Sequence, residues 1–212
     1  MPAGIYSDVR CTGQKNGIFE PTPHQKQALE AFLQNRAKGM LLYHKLGSGK
    51  TCTSILIADR LLQTEKVNRI FILTPGSLRA GWVTEYCQVC GDDKETLKSR
   101  YTFITYNYRV GSSLPNFNGS LVIIDEIHNL INGVRNESTN PMAVYNAVKD
   151  ADCRLLALSG TPVFENTNEF WYIGKLLKPN KFPDSRNDFD LLFWSKEDGS
   201  LIPKNPTRVK RL

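Results

Sequence analysis

Met40-Leu41-Leu42-Tyr43-His44-Lys45-Leu46-Gly47-Ser48-Gly49-Lys50-Thr51 is the stretch from which the fold can be worked out. A short apolar run of strand character leads into a glycine-punctuated loop, and a helical pattern continues from Lys50 to Gln63. Gly47 and Gly49 let the backbone curl so that successive N–H groups point inward, and the following helix adds the positive end of its dipole. Such a loop cradles phosphate: Lys50 supplies a cation for the outer phosphates and Thr51 a hydroxyl that can ligate Mg²⁺. The strict pattern G-x-x-x-x-G-K-[ST] wants glycine where this chain has His44, which is the one departure in the loop.

A second constellation lies 75 residues beyond Lys50. Leu121-Val122-Ile123-Ile124 is an apolar strand that ends in Asp125-Glu126-Ile127-His128. At the carboxyl end of a parallel strand an acidic pair faces the crevice where open α/β sheets bind ligands. Asp125 can hold the Mg²⁺ that Thr51 touches, and Glu126 can polarise the water that attacks a γ-phosphate.

Around these two sites, strand-like and helix-like segments alternate, the pattern of a parallel sheet with crossover helices, so the class is α/β. Met40–Tyr43, Ile70–Leu73, Tyr101–Thr105, Leu121–Ile124 and Leu155–Leu158 have the length and apolar character of strands buried on both faces. The spacing predicts helices over Pro23–Arg36, Lys50–Gln63, Leu78–Val89, Pro141–Lys149 and Asn166–Leu177, the first with Thr22 as N-cap and Pro23 at its first position. Pro179–Leu212 contains four prolines and no clear periodicity, and reads as an extension or linker. The expected organisation is an N-terminal extension over residues 1–20, a core lobe over 21–182 and a C-terminal extension over 183–212.

Composition excludes several classes. The 212 residues are 41% hydrophobic and 23% charged, enough to bury a core and unlike a disordered or collagen-like chain. No apolar run approaches the roughly 18 residues a membrane span needs, and the first 20 residues have no signal-peptide pattern, so an intracellular protein without membrane contact is expected. Five scattered cysteines suit reduced thiols better than a disulfide framework. Cys87 and Cys90 have C-x-x-C spacing, which reads either as half of a metal site or as small buried hydrophobes. The net charge is +6, and Lys204, Arg208, Lys210 and Arg211 crowd the last nine positions, which suits either contact with a polyanion or a solvated basic tail.

Taken in order, the motifs resemble those of a superfamily 2 helicase or translocase. Asp125-Glu126-Ile127-His128 looks like the DExH box, Ser159-Gly160-Thr161-Pro162 resembles motif III, and Pro21-Thr22-Pro23-His24-Gln25 resembles the adenine-recognising Q-type motif. Pro75-Gly76-Ser77-Leu78 with Trp82 and Glu85 is similar to motif Ia of the Swi/Snf-type branch, and Thr105-Tyr106 resembles motif Ib. The texture of Leu41–Thr51 and Ile123–Asn129 is closest to NTPases and helicases of poxviruses and other large DNA viruses, a family that tolerates a residue other than glycine at His44. The resemblance spans roughly Pro21 to Phe182.

It implies a RecA-like P-loop NTPase domain, a single lobe with a parallel sheet flanked by helices. It implies ATP and Mg²⁺ as cofactors, with Gly47, Ser48, Gly49, Lys50 and Thr51 on the phosphates, Thr51 and Asp125 on the metal, and Glu126, Asp125 and Lys50 as the catalytic set. Gln25 would hydrogen-bond the adenine, although Thr22-x-x-Gln25 also satisfies a capping box. His128, Ser159 and Thr161 would couple nucleotide to nucleic acid; a core role for His128 and a cap near Glu165 for the hydroxyls are the structural alternatives. Ser77, Thr105 and Tyr106 would face the nucleic acid, which the Swi/Snf-like texture suggests is duplex DNA; Tyr106 and Tyr108 could stack on bases or pack in the core. Motors of this kind use two RecA-like lobes, so the resemblance implies a second lobe as partner, in the same protein or in trans. If the protein is viral, it would act in a cytoplasmic viral factory, the virion or the nucleus. The alternative function is a RecA-like module that binds nucleotide or a partner without chemistry.

Overall fold

The computed structural model describes residues 19–45, 47–87, 94–106, 113–160, 167–197 and 200–203. Five strands, β1 (Gly39–Tyr43), β2 (Ile70–Leu73), β3 (Tyr101–Ile104), β4 (Leu121–Ile124) and β5 (Arg154–Ser159), form one sheet in the order β1-β5-β4-β2-β3, and every pairing is parallel. All five coincide with the apolar runs of the sequence to within a residue.

Period-two alternation divides the strand side chains between two cores. Leu121 and Ile123 of β4 and Leu156 and Leu158 of β5 point to one face, where they meet Phe32 of α1 (Pro23–Gln34), Ile55 and Leu61 of α2 (Lys50–Gln63) and Trp82 of α3 (Arg79–Glu85). Val122, Ile124, Leu155 and Ala157 point to the other, against Leu130 of α5 (Ile127–Arg135), Val144 of α6 (Thr139–Asp150) and Ile173 of α7 (Thr167–Leu177). Helices on both faces are what make β4 and β5 apolar without alternation.

Several elements escape the sequence reading. A short helix α4 (Lys94–Arg100) precedes β3, and α5 follows β4 directly. Beyond α7, the segment read as an extension carries α8 (Arg186–Phe193) and an antiparallel hairpin of β6 (Trp194–Glu197) and β7 (Ser200–Pro203). Ser185 caps α8, its Oγ accepting from the Asp188 N–H at 3.0 Å and donating to Asp188 Oδ2 at 2.7 Å. Phe189 stacks on Phe182 at 5.7 Å, which fastens α8 to α7 through Phe170. The thiols also need a correction: Cys52 and Cys87 are disulfide-bonded, while Cys153 is free and buried. Both residues lie in the apolar cluster beneath α2 and α3. Cys90 lies outside the described residues.

Candidate nucleotide site

The register of the sheet brings the motifs together. Tyr43 pairs with Ser159 and Leu73 with Ile124, so the residues that follow, His44, Gly160, Thr74 and Asp125, emerge at one carboxyl edge. This edge is where α/β sheets of this kind bind ligands.

Gly47 and Gly49 have φ of 77° and 78°, left-handed values that a side chain would strain and that curl the loop into the start of α2. Lys50, at 9% exposure, donates from Nζ to the carbonyls of His44 at 3.1 Å and Lys45 at 3.4 Å, so its ammonium lies inside the loop. Ser48 Oγ and His44 Nδ1 are buried and have no hydrogen-bond partner among the described residues. A polar atom in that condition favours a ligand that can bond to it. His44 meets the ring of His24 edge-on at 5.6 Å, and its pKa is lowered by burial, then by His24 and Lys50. His24 Nε2 in turn contacts the Ser48 carbonyl at 3.0 Å.

Gln25 is buried and its amide is engaged. Oε1 accepts from the Thr22 N–H at 2.9 Å and from Thr22 Oγ1 at 3.1 Å, completing the capping box, while Nε2 donates to the Gly49 carbonyl at 3.4 Å. The residue therefore ties the start of α1 to the phosphate loop.

Asp125 continues the sheet, its N–H donating to Leu73 O at 2.8 Å. Its Oδ2 accepts from Trp82 Nε1 at 2.8 Å and Thr74 Oγ1 at 3.1 Å. Burial pushes the carboxyl above its ordinary pKa; the two hydrogen bonds oppose the rise, Glu126 adds to it, and Lys50 lowers it. Glu126 then turns through φ 49°, a left-handed value rare outside glycine, to start α5. Its Oε2 lies 3.4 Å from His128 Nδ1 and 3.5 Å from the Gly160 N–H. Gly160 is in close quarters: a β-carbon there would sit 3.1 Å from Lys50 Nζ and 3.7 Å from Glu126 Oε1. The fold thus brings Lys50, Glu126, His128 and Gly160 into one cluster, with Asp125 beside Glu126.

Ser159 is fully buried and its carbonyl accepts from His44 N–H at 3.2 Å; Thr161 and Tyr108 lie outside the described residues. Ser77 is exposed in the 3₁₀ turn Gly76–Leu78, and Thr105 is partly exposed in a groove of about 600 Å³ with Gly76 and Asn140. Of the two expected places for Tyr106, a nucleic-acid face or the core, it takes the core. It is 8% exposed, and its hydroxyl donates to the carbonyls of Leu73 and Asp125, so the ring packs in the core and is not presented for stacking. Thr74 and Trp82 carry site contacts that the sequence reading did not assign. Thr74 follows β2 in register with the end of β4, a placement that only the folded sheet shows.

Residues 18–164 match the family model described as type III restriction enzyme, res subunit (ResIII). The chain belongs to the ResIII family. Among its relatives are a mimivirus protein described as "Putative ATP-dependent RNA helicase", 31% identical across 68% of this chain and 30% of its own length, and the African swine fever virus termination factor NPH-I homolog, 31% identical across 59% of this chain and 20% of its own length. The chain thus spans about a third or less of these two relatives. The Sulfolobus solfataricus SWI2/SNF2 ATPase core in complex with dsDNA superposes with a TM-score of 0.62 at 19% identity, over 85% of this chain and 40% of that one, which establishes the RecA-like fold. This ResIII chain is therefore a helicase-type ATPase domain of superfamily 2, near viral helicases, and its family uses ATP. Among the described residues no helix is long and apolar enough to cross a membrane.

Proposed function

We propose that this chain is the ATP-binding lobe, over residues 21–182, of a nucleic-acid-dependent ATPase that acts on duplex DNA when a second RecA-like lobe closes over the nucleotide. The observation that carries this reading is the convergence of Lys50, Glu126, His128 and Gly160 beside Asp125 at one edge of the sheet.

Gly47 and Gly49 offer N–H groups, and Ser48 a hydroxyl without a partner among the described residues, to phosphate oxygens. Lys50 would exchange the two loop carbonyls for the outer phosphates. The donors suit Mg²⁺: a hydroxyl from Thr51 and a carboxylate from Asp125 are hard oxygen ligands, and this metal is ordinarily held by one or two carboxylates plus the substrate's phosphates. Among the described residues no cluster of three or more His, Cys, Asp or Glu forms a separate metal cage. When bound, Mg²⁺ neutralises charge on the phosphates. Glu126 orients and deprotonates the attacking water, and His128 and Gly160 place that carboxylate. Gln25 links the adenine side of the site to the phosphate loop through Gly49. Ser159 and Thr161 pass the state of the nucleotide to the nucleic-acid face, where Ser77 and Thr105 touch phosphates and do not read bases.

The duplex-DNA reading is supported by the texture of the motifs and by the dsDNA complex of the Sulfolobus core, while the mimivirus relative is described as an RNA helicase. The viral relatives support a place of action inside an infected cell. Arginine fingers from a second lobe are worth about 10³ to 10⁵ in rate in phosphoryl-transfer enzymes, so the isolated chain is expected to bind MgATP and turn it over slowly. Steady-state hydrolysis and MgATP binding, measured alone, with duplex DNA and with RNA, test the reading. Binding that Lys50→Ala abolishes is the expected result. Identical binding by parent and Lys50→Ala would overturn the phosphate-site assignment, and stimulation by RNA alone would overturn the choice of DNA.

A further inference from the structure

We infer that Trp82 and Thr74 are positioning residues for Asp125: they fix its carboxylate through Oδ2 alone, so that Oδ1 is the oxygen offered to a divalent cation. The inference rests on the reading of Asp125 as a metal ligand and adds the groups that make it one.

Three facts carry it. Both donors converge on the same oxygen, Trp82 Nε1 at 2.8 Å and Thr74 Oγ1 at 3.1 Å, and no donor among the described residues bonds Oδ1. Both are buried, Trp82 at 3% exposure and Thr74 at 0%, so water does not compete for the bonds. The main chain of Asp125 is fixed as well, by its N–H on Leu73 O and by the Tyr106 hydroxyl on its carbonyl.

A free carboxylate rotates about its last torsion with two nearly equivalent orientations. Two donors on one oxygen remove that freedom and leave the lone pairs of the other available. Outer-shell partners that orient a ligating side chain typically matter by about 10- to 100-fold in metal affinity or activity. Both donors lie on the single connection from β2 through the turn Gly76–Leu78 into α3, so one segment sets the orientation of the side chain just after β4.

The test is the Mg²⁺ dependence of nucleotide binding, read with a fluorescent N-methylanthraniloyl-ADP on the full chain, beside melting temperatures. Trp82→Phe keeps a ring and loses the N–H; Thr74→Val keeps the shape and loses the hydroxyl; Thr74→Ser keeps the hydroxyl. The expected result is a Mg²⁺ midpoint raised about tenfold in Trp82→Phe and in Thr74→Val, unchanged binding in EDTA, and a return to the parent's midpoint in Thr74→Ser. A parental midpoint in Thr74→Val and Trp82→Phe, with only the melting temperature lowered, would show that the donors merely satisfy a buried carboxylate and would overturn the inference. Should Trp82→Phe fail to fold, the two Thr74 variants decide the matter. Lys50→Ala separates the two levels of argument. If it binds the fluorescent ADP as the parent does, the nucleotide site falls and this inference with it; if it loses binding while the Mg²⁺ midpoints stay parental, the inference alone falls.

Discussion

Asp125 leaves β4 with its strand hydrogen bond to Leu73 intact and two buried donors on one carboxylate oxygen, whereas Glu126, the next residue, swings into left-handed backbone, and among the described residues its carboxylate makes only long contacts, to His128 at 3.4 Å and Gly160 at 3.5 Å. Two carboxylates in adjacent positions are thus held in different ways. The first is fixed by short, water-excluded bonds before any ligand arrives. The second is aimed by a backbone kink and restrained loosely, which suits a group that must follow a reacting water. A metal ligand gains from rigidity, because ordering it beforehand lowers the cost of binding; a general base gains from reach.

The sharpest way to break this comparison is Glu126→Gln. It keeps the size and the kink but removes the basic oxygen pair, so MgATP binding should be retained while turnover falls by about 10² to 10⁴. Comparable turnover in parent and variant would mean that Glu126 is not the base. A smaller effect concerns stability. A left-handed residue with a β-carbon carries roughly 1–2 kcal/mol of strain, and asparagine tolerates that region better than glutamate. Glu126→Asn should therefore raise the unfolding free energy by up to about 1 kcal/mol, read as a higher urea midpoint, while turnover is lost. A clear loss of stability would show that the contacts to His128 and Gly160 are structural, and the contrast with Asp125 would collapse.

The five strands and the two ends of the site were legible in sequence because their signals are local. Leu121–Ile124 is apolar on both faces, and the Gly47–Thr51 spacing is dictated by backbone curvature. What stayed hidden depends on contacts between distant segments. Trp82 could be named as a motif residue, yet its bond to Asp125 spans 43 residues and exists only because α3 packs beneath the end of the sheet. Helix α5 has the apolar spacing of Ile127, Leu130, Ile131 and Val134, but it starts from the kinked Glu126 with no capping side chain, so no start signal marks it. Helix α8 buries Phe189 and exposes Leu191 and Leu192, which blurs its period. For Tyr106 the sequence left stacking and core packing open, and burial decided for the core.

The smallest expected effect tests the other wall of the site, where His44 stands in place of a glycine. Its folded-state pKa lies below the ordinary value of about 6.5 because burial, His24 and Lys50 all disfavour the imidazolium. The unfolded chain then takes up a proton more readily than the folded one. The sign follows: the neutral ring leaves stability intact above about pH 6.5, and stability falls as the pH drops below that value toward the folded pKa. Urea midpoints at pH 7.5 and pH 5 should therefore differ more in the parent than in His44→Gln, whose side chain does not titrate. Equal pH slopes would remove His44 from the acid response. A steeper slope in the parent would show that this wall responds to charge that changes with pH, unlike Asp125, which is held by the neutral donors Trp82 and Thr74.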